Sequence, residues 1–254
     1  MKNIYLRISG GLGNQLYQFS FAYYLFRKFN YDRIVIDTSG MKNYNEYWGF
    51  LLYEVLSKEE LDKFVIFKSH FILKFRLPKL SSRLGVSLSK YGFFSDEFNE
   101  EDIGIHPLKD NLFLDGYFET VRVRNEYFKL LKPIIRCDLN MILPDNLVVI
   151  NVRGGEFLRL GLSTDDDREY YKHAISNIMK KVKEPIFHVI TDDVNYASSL
   201  LDGLCEIDEI HKPNPRENFK YIMNSKYKVL SLSTFAKWAA IFGGDAHIYW
   251  KSGF

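Results

Sequence analysis

The sequence predicts an α/β fold of two lobes, each built around a mostly parallel sheet. The chain opens with a strand, a glycine loop and a helix. Residues 4–8 are apolar and β-branched, residues 9–13 are rich in glycine, and residues 16–29 carry apolar side chains at helical spacing. After residue 146, predicted strands and helices alternate, which is typical of parallel sheets that are buried on both faces.

The boundary between the lobes is expected where proline interrupts the chain. Pro133, and Pro144 with the polar residues after it, interrupt the chain between the two alternating regions. We therefore expect an amino-terminal lobe of residues 1–140 and a carboxy-terminal lobe of residues 141–254, sizes that suit two compact domains.

The first lobe is the harder one to divide into elements. Few can be placed between residues 40 and 110, where aromatic residues and proline interrupt the helical patterns. The elements expected around this gap are a strand at 33–37 that ends in Asp37, a helical fragment at 57–64, a strand at 111–117 and a helix through 127–131.

The second lobe shows cleaner alternation. Its apolar runs and helical periodicities make three strand and helix units. The elements expected are strands at 147–150, 185–190 and 227–232, and helices at 168–181, 194–201 and 234–242.

Composition narrows the classes of function. Hydrophobic residues make up 46% of the 254-residue chain and aromatic residues 16%, which favours a globular protein. A formal net charge of +2 supplies no overall field for nucleic acid, so an anionic ligand has to be held locally. Cys137 and Cys205 lack the neighbours of a zinc site or a disulfide framework.

The glycine loop is the first candidate for a binding site. Gly11, Leu12, Gly13, Asn14 and Gln15 follow a strand and open a helix, where backbone amides converge on an anion. The alternative is a tight turn that only packs the helix on the sheet, because the third glycine of a dinucleotide fingerprint is absent.

The second candidate follows the first strand of the second lobe, where open α/β sheets bind their ligands. Asn151, Arg153 and Glu156 lie there, and a guanidinium can hold two phosphate oxygens at once. The alternative is an exposed pair of Arg153 with Glu156.

Two further candidates follow later strands. Asp192 and Asp193 could ligate a divalent metal or accept hydrogen bonds from guanine, although Asp193 could instead cap the next helix. Ser233, Thr234 and Phe235 open a helix whose amides and hydroxyls could hold phosphate, although serine and threonine are also ordinary capping residues.

Five motifs together resemble one family, the bacterial α-1,2-fucosyltransferases of glycosyltransferase family 11. They are GGLGNQ at residues 10–15, GYFE at 116–119, NVRGGEF at 151–157, TDD at 191–193 and STFAKWAA at 233–240. The first and last are the most specific, and the resemblance spans nearly the whole chain.

The resemblance implies a GT-B-type architecture of two Rossmann-like lobes. Residues 141–254 are expected to bind most of the GDP-sugar, and residues 1–140 part of the acceptor. The implied reaction is inverting transfer of L-fucose, or a related 6-deoxyhexose such as colitose, from GDP to a sugar hydroxyl. An α-1,2 linkage to galactose in O-antigen or oligosaccharide synthesis is expected. The nucleotide sugar is a substrate, so the resemblance implies no cofactor and no metal.

The chain departs from the family pattern within one motif. Asn151 stands where the family has the histidine that contributes to guanine recognition, Gly154 stands where it has a second arginine, and Glu156 and Phe157 replace aspartate and tyrosine. The arginine that meets the β-phosphate in related enzymes is retained as Arg153. The contact of this chain with the guanine base is therefore expected to differ from that of the family.

The expected chemistry is displacement of GDP by the acceptor hydroxyl. Groups that bind the departing pyrophosphate more strongly as its charge grows would accelerate it. Arg153 is assigned this role, with the helix start at Ser233 and the glycine loop, while Asn14 is expected to orient phosphate or acceptor. Asp37, Glu119 and Glu156 remain open as general bases.

Two rival readings belong to other classes. A dinucleotide-dependent oxidoreductase is suggested by the glycine loop, with Asp37 about 20 residues on to bind ribose. A sugar-binding module without catalysis is the other.

The location of the protein is expected to be cytoplasmic. The amino terminus lacks the apolar stretch of a signal peptide, and no run approaches the roughly 18 apolar residues of a spanning helix. Residues 63–90, however, contain seven basic residues and no acidic one, interleaved with phenylalanine and leucine. Two interpretations of this stretch stay open. It could contact anionic lipid at the membrane, where a lipid-linked acceptor would lie, or its aromatic residues could belong to an ordinary core while its basic residues are solvated.

Overall fold

In the computed structural model, the described residues are 1–41, 49–84, 88, 91–95, 109–119, 124–164, 167–244 and 246–251. The chain divides into two compact units, Met1–Arg136 and Cys137–Phe254. The sequence places the break at residue 140, just beyond the short 3-10 helix Cys137–Leu139 with which the second unit begins. Each unit is an α/β structure with a parallel sheet, as predicted.

The first unit holds a five-stranded sheet in the order β3-β2-β1-β5-β4, and every pairing is parallel. The strands described are β1 (Asn3–Arg7), β2 (Arg33–Asp37), β3 (Val65–Phe67), β4 (Phe93–Phe94) and β5 (Asn111–Leu114). The helices described are α1 (Leu12–Phe29), α2 (Leu52–Val55), α3 (Lys58–Asp62), α4 (Phe71–Lys74), α5 (Leu77–Arg83) and α6 (Arg124–Leu131).

The three central strands of the first unit end in step. Leu6 of β1 lies opposite Ile36 of β2 and Leu114 of β5. These three residues and most of α1 are buried, so the core continues up to the carboxyl ends of the strands. The chain leaves β1 toward β2 on one side and returns to β5 on the other. This switch in direction is where open α/β sheets bind ligands.

The second unit repeats the plan with the strand order β10-β9-β6-β7-β8. Its strands are β6 (Leu147–Val152), β7 (Ile186–Thr191), β8 (Glu209–His211), β9 (Tyr227–Leu230) and β10 (His247–Trp250). Its helices are α7 (Gly155–Arg159), α8 (Asp167–Met179), α9 (Val194–Leu201), α10 (Pro215–Asn224) and α11 (Thr234–Gly243).

The central strand of the second unit is β6, which is buried along its whole length. It pairs with β7 on one side and β9 on the other, so the change of direction lies between β6 and β9. The sequence predicts three of these five strands. The helix α10 and the edge strands β8 and β10 appear only in the structure.

Candidate active site

The carboxyl ends of the central strands in the second unit are joined by one buried side chain. Asn151 near the end of β6 is 2% exposed. Its Nδ2 donates to the carbonyl of Ile190 in β7 at 3.1 Å, and its Oδ1 accepts from the Ser231 hydroxyl, just past β9, at 2.7 Å. Both hydrogen-bonding atoms of the side chain are used within the sheet, where they align the strand ends. The donor contact expected of Asn151 from the sequence stays a prediction.

Arg153 lies immediately past β6, where the sequence places it. Its Nη1 is 2.9 Å from Oδ2 of Asp192, and about a quarter of each side chain is exposed. The guanidinium carbon lies 4.8 Å from the centre of the Phe157 ring, a cation–π arrangement. The guanidinium is thus held in one place while part of it remains open to solvent.

The two glycines after Arg153 are packed beneath the aspartates that follow β7. The Gly154 amide donates to Asp192 Oδ1 at 2.8 Å, and the Gly155 amide to Asp193 Oδ2 at 3.4 Å. A Cβ atom at position 154 would lie 2.4 Å from the Cβ atom of Asp193. Gly155 has a φ of +38°, a region that side chains disfavour. Glycine is therefore required here by both space and backbone conformation.

The neighbouring aspartates are used differently. Asp193 caps α9, because its Oδ1 accepts from the Tyr196 amide at 3.0 Å, and its other oxygen receives Gly155. Asp192 is more exposed and faces Arg153. The capping alternative considered for Asp193 is therefore the arrangement seen. Of the two aspartates, Asp192 is therefore the one whose carboxylate is more accessible to a guanine base.

The last motif forms the start of α11, beside β6 at the same edge. The Ser233 hydroxyl accepts from the Ala236 amide at 3.3 Å and caps the helix. Thr234 and Phe235 form the first turn and are half-buried. Because β6 and β9 are neighbours, this helix start lies at the same sheet edge as Arg153. The arginine charge and the positive end of the helix dipole together make the edge suitable for an anion.

In the first unit, the glycine loop joins β1 to α1 at the corresponding switch point. Gly10 has a φ of +76°, and Gly11 is the residue before the helix. Leu12 and Gly13 are buried, whereas Asn14 is half-buried with its amide over Gly10. Asn14 is therefore the side chain of this loop that is placed to meet a ligand.

Gln15 is fully buried, and its side chain holds the loop together. Its Nε2 donates to the carbonyls of Gly10 and Gly49, each at 2.9 Å, and its Oε1 accepts from the Leu51 amide at 2.8 Å. These bonds occupy the amide. The Gln15 side chain thus positions the loop, and the direct donor contact expected of Gln15 from the sequence stays a prediction.

Asp37 ends β2 and is enclosed by hydrogen-bond donors. It accepts from the Ser39 amide at 2.8 Å, the His70 amide at 2.8 Å and the Ser69 hydroxyl at 3.2 Å, and it is fully buried. Burial by itself would raise its pKa, but these hydrogen bonds outweigh burial and the pKa is lowered. A carboxylate held in its charged form and out of solvent is a poor general base, and it has no access to a ribose.

Two arginines meet a buried aspartate at the same edge, a feature that the sequence analysis missed. Asp115, just past β5, is bound in a fork by Arg76 through Nε and Nη2, each at 3.1 Å. Arg7 at the end of β1 lies 3.5 Å from the same carboxylate. Both Arg7 and Asp115 are at strand ends, so the reasoning that singles out Arg153 could have found them.

The GYFE segment follows Asp115 and is anchored by its phenylalanine. Phe118 is fully buried, has a φ of +57° and stacks on Phe21 of α1 with ring centres 4.4 Å apart. Glu119, the next residue, and Glu156 in α7 are half-buried. These two carboxylates, unlike Asp37, retain some access to solvent.

Comparison with known proteins gives one consistent family. The model of glycosyl transferase family 11 matches residues 3–251. An α-1,2-colitosyltransferase of Escherichia coli is 27% identical over 267 aligned positions, which cover 94% of this chain and 87% of that protein.

Solved structures share the fold at low sequence identity. The fucosyltransferase NodZ from Bradyrhizobium superposes with a TM-score of 0.57 at 13% identity, covering 94% of this chain and 92% of that one. POFUT1 in complex with GDP gives a TM-score of 0.57 at 11% identity, covering 99% of each chain. The likeness confirms the predicted GT-B-type fold class of two α/β lobes.

Proposed function

The chain belongs to glycosyl transferase family 11, and from this premise we propose that it transfers a 6-deoxyhexose from GDP to a hydroxyl of an acceptor sugar. The observation that carries the proposal is the edge of the second unit, where Arg153 and the start of α11 lie beside one another on adjacent strand ends. This edge combines a fixed cation with a helix start, as a departing pyrophosphate requires.

In the proposed reaction the acceptor oxygen attacks C1 of the donor sugar. The bond from C1 to the β-phosphate oxygen breaks, GDP leaves with the bonding electrons, and the configuration at C1 is inverted. Arg153 turns from Asp192 to the phosphate, or shares its fork between them, as negative charge grows on the leaving group. Asp192 keeps the Gly154 amide as a partner throughout.

The hydroxyl proton needs a base, and the surroundings of the candidates reduce the choice. Asp37 is enclosed and has a lowered pKa, which argues against it. Glu119 and Glu156 remain, one in each unit. Asn14, over the glycine loop, is proposed to orient the acceptor or the donor phosphate.

The donor is proposed to be GDP-L-fucose or GDP-colitose. The similar E. coli protein is a colitosyltransferase, and structures of NodZ soaked with GDP-fucose and of POFUT1 in complex with GDP-fucose share the fold. We propose an α-1,2 linkage to galactose, in an O-antigen repeat or an oligosaccharide, and a reaction without a metal. Asp192 is proposed to contact guanine, because Asn151 is buried where the family has its histidine.

A binding and turnover experiment tests this function. Thermal unfolding is measured with GDP, UDP, CMP and NAD, where a nucleotide at a hundred times its dissociation constant stabilises the protein by about 2.7 kcal/mol. GDP release from GDP-fucose and GDP-colitose is then followed with galactosides. We expect stabilisation by GDP and turnover of at least one donor. Stabilisation by NAD alone would contradict the proposal, and GDP binding without turnover of either donor would argue for a binding module.

We also propose that the acceptor is lipid-linked and that the first unit contacts an anionic membrane. No described helix is long and apolar enough to cross a bilayer. The part of the chain proposed to touch lipid comprises β3, α4, α5 and the residues that end these helices, which expose large apolar side chains. Its exposed side chains, with exposed fractions of 37% to 71%, are Ile66, Phe67, Phe71, Phe75, Leu80 and Leu84.

Basic residues accompany this surface, although fewer are available than the sequence suggests. Lys63 is paired with Glu60, Arg76 is committed to Asp115, and Lys90 lies outside the described residues. Lys68 and Lys74 are exposed beside the phenylalanines. Each such residue near an anionic interface contributes about 1 kcal/mol, and exposed aromatic side chains insert beside headgroups.

Flotation with liposomes tests the membrane contact. Wild type should float with anionic vesicles at low salt and be released as salt is raised. The pair Lys68→Glu and Lys74→Glu, and separately the pair Phe71→Ser and Phe75→Ser, should reduce flotation. The pair Lys180→Glu and Lys181→Glu, exposed on the other unit, makes the same change in charge and should have little effect. Wild type that stays in the soluble fraction at low salt would contradict the proposal.

A further inference from the structure

Two imidazoles and a carboxylate meet on one face of the second sheet, outside the proposed reaction site. His188 lies in β7, and Glu209 and His211 lie in the edge strand β8, where His188 is paired in register with Glu209. In a parallel sheet, residues that are paired in register share a face, and so do residues two apart along a strand. The three side chains therefore extend from the same face.

The three side chains are close enough to hold one ion. His188 Nδ1 and His211 Nε2 are 3.0 Å apart. Glu209 Oε2 lies 3.8 Å from His188 Nδ1, and Glu209 Oε1 lies 3.9 Å from His211 Nε2. One ligand atom can be chosen from each residue such that all three lie within 4.8 Å of one another.

We propose that His188, Glu209 and His211 form a binding site for a divalent transition metal ion of the zinc class. Two nitrogens bound to one zinc at 2.0 to 2.1 Å in tetrahedral geometry lie about 3.3 to 3.4 Å apart, so the 3.0 Å found here has to widen by only a few tenths of an ångström. Imidazole and carboxylate together favour zinc and its neighbours over magnesium or calcium, which prefer oxygen ligands alone.

The surroundings suit such a site. His211 is 8% exposed, and its ring lies 4.2 Å from the Tyr221 ring of α10, which covers it on one side. The Glu209 side chain is 56% exposed, so an ion has access from solvent and a water can complete its coordination.

The ion would act on the sheet and not on the reaction. His188 precedes Thr191, at the end of β7, by three residues, which is about 10 Å along a strand. Among the described strands, the three-residue strand β8 pairs only with β7, at the edge of the sheet. A metal shared by both strands would tie this edge to the interior. We expect it to raise the unfolding temperature and to leave turnover unchanged.

Direct titration tests the site in the full chain without a polyhistidine tag. The protein is treated with EDTA, freed of chelator and titrated with Zn²⁺ against a chromophoric competitor, and with Co²⁺ by visible absorption. We expect one equivalent per chain, ligand-field bands of nitrogen-bound cobalt and a higher unfolding temperature. His188→Gln and His211→Gln should each weaken Zn²⁺ binding on the order of 100-fold or more.

The variants are chosen so that misfolding does not confuse the result. Glu209→Gln changes an exposed side chain, so it should leave the circular dichroism spectrum unchanged and still weaken binding at least tenfold. His247→Gln, in β10 outside the cluster, is the matched control and should bind as wild type does. If wild type takes up no stoichiometric ion, or if the three variants bind as tightly as His247→Gln, the histidines are a hydrogen-bonded pair and the site does not exist.

Discussion

Replacing Arg153 by alanine separates its proposed role in the reaction from any role in the fold. Its ion pair with Asp192 is about a quarter exposed on each side, and pairs of this kind contribute about 0.2 to 1 kcal/mol. After the replacement, Asp192 still accepts from the Gly154 amide. Loss of the ion pair and of the contact with the Phe157 ring should together lower the free energy of unfolding by about 1 to 2 kcal/mol.

The loss in the reaction should be far larger. Removing one fixed donor to a developing anion raises the activation free energy by about 2.7 to 4 kcal/mol, a factor of about 100 to 1,000 in kcat. Arg153→Lys should recover little of this, because an ammonium lacks the planar fork and stacks less well on Phe157.

The assay is GDP release under saturating donor and acceptor, together with thermal unfolding. Arg159→Ala removes the same charge from an exposed position in the following helix, α7; it is the control and should keep near-normal turnover. Near-normal turnover in Arg153→Ala would refute the assignment of Arg153. A loss of turnover accompanied by a collapse in unfolding temperature would refute the claim that its role is separable from folding.

Three further predictions follow from the geometry. Gly154→Ala should lower stability by about 1 to 3 kcal/mol and disturb donor binding, because its Cβ atom meets that of Asp193 at 2.4 Å; unchanged stability and KM would contradict this. Turnover should survive EDTA; if chelation stops the reaction and manganese restores it, the metal-free mechanism is wrong. Lys228 is fully buried in β9, and burial lowers its pKa from 10.5 to about 8. Between these two pH values the folded state therefore binds fewer protons than the unfolded state, so the free energy of unfolding of the wild type should rise with pH. At pH 7 the Lys228→Met variant should be more stable than wild type by about 2 kcal/mol, a figure that includes the loss of the hydrogen bond from Lys228 to the Ser225 carbonyl. Its stability should not rise with pH in this range. Identical pH profiles of the two proteins in urea unfolding would contradict the prediction.

The elements with strong local signals were predicted well. The strand at 33–37 matches β2, because a β-branched run ends there in a carboxylate. The helix at 194–201 matches α9, which follows its capping Asp193. The edge strands β8 and β10 were missed because they are short and partly polar, so pairing with neighbours defines them and local pattern does not. The start of α10 did carry a signal, Asn214 before Pro215, and the structure shows Asn214 capping that helix.

In the candidate site, too, the sequence predicts some features and not others. The sequence predicts that a residue lies at a strand end when an apolar run is followed by glycine, as for Arg153. The sequence does not predict whether a side chain at that edge points into the core. Residues Leu12 to Leu25 of α1 are buried almost without interruption, so helical periodicity does not show that Gln15 faces the core. Asn151 lies in a strand that is buried on both faces, where alternation carries no information either.

The arginines at the two switch points are both restrained before any ligand arrives. Arg153 is held by Asp192 and rests on Phe157, and Arg7 is held by Asp115. A free arginine side chain loses up to about 2 kcal/mol of rotamer entropy when it is immobilised. For Arg153 much of that loss has already occurred on folding, so a donor phosphate that engages it as proposed meets a preorganised partner. Donor affinity should then depend more on how readily Asp192 releases Arg153 than on side-chain ordering, which makes Asp192 a position at which the residence time of GDP can be tuned.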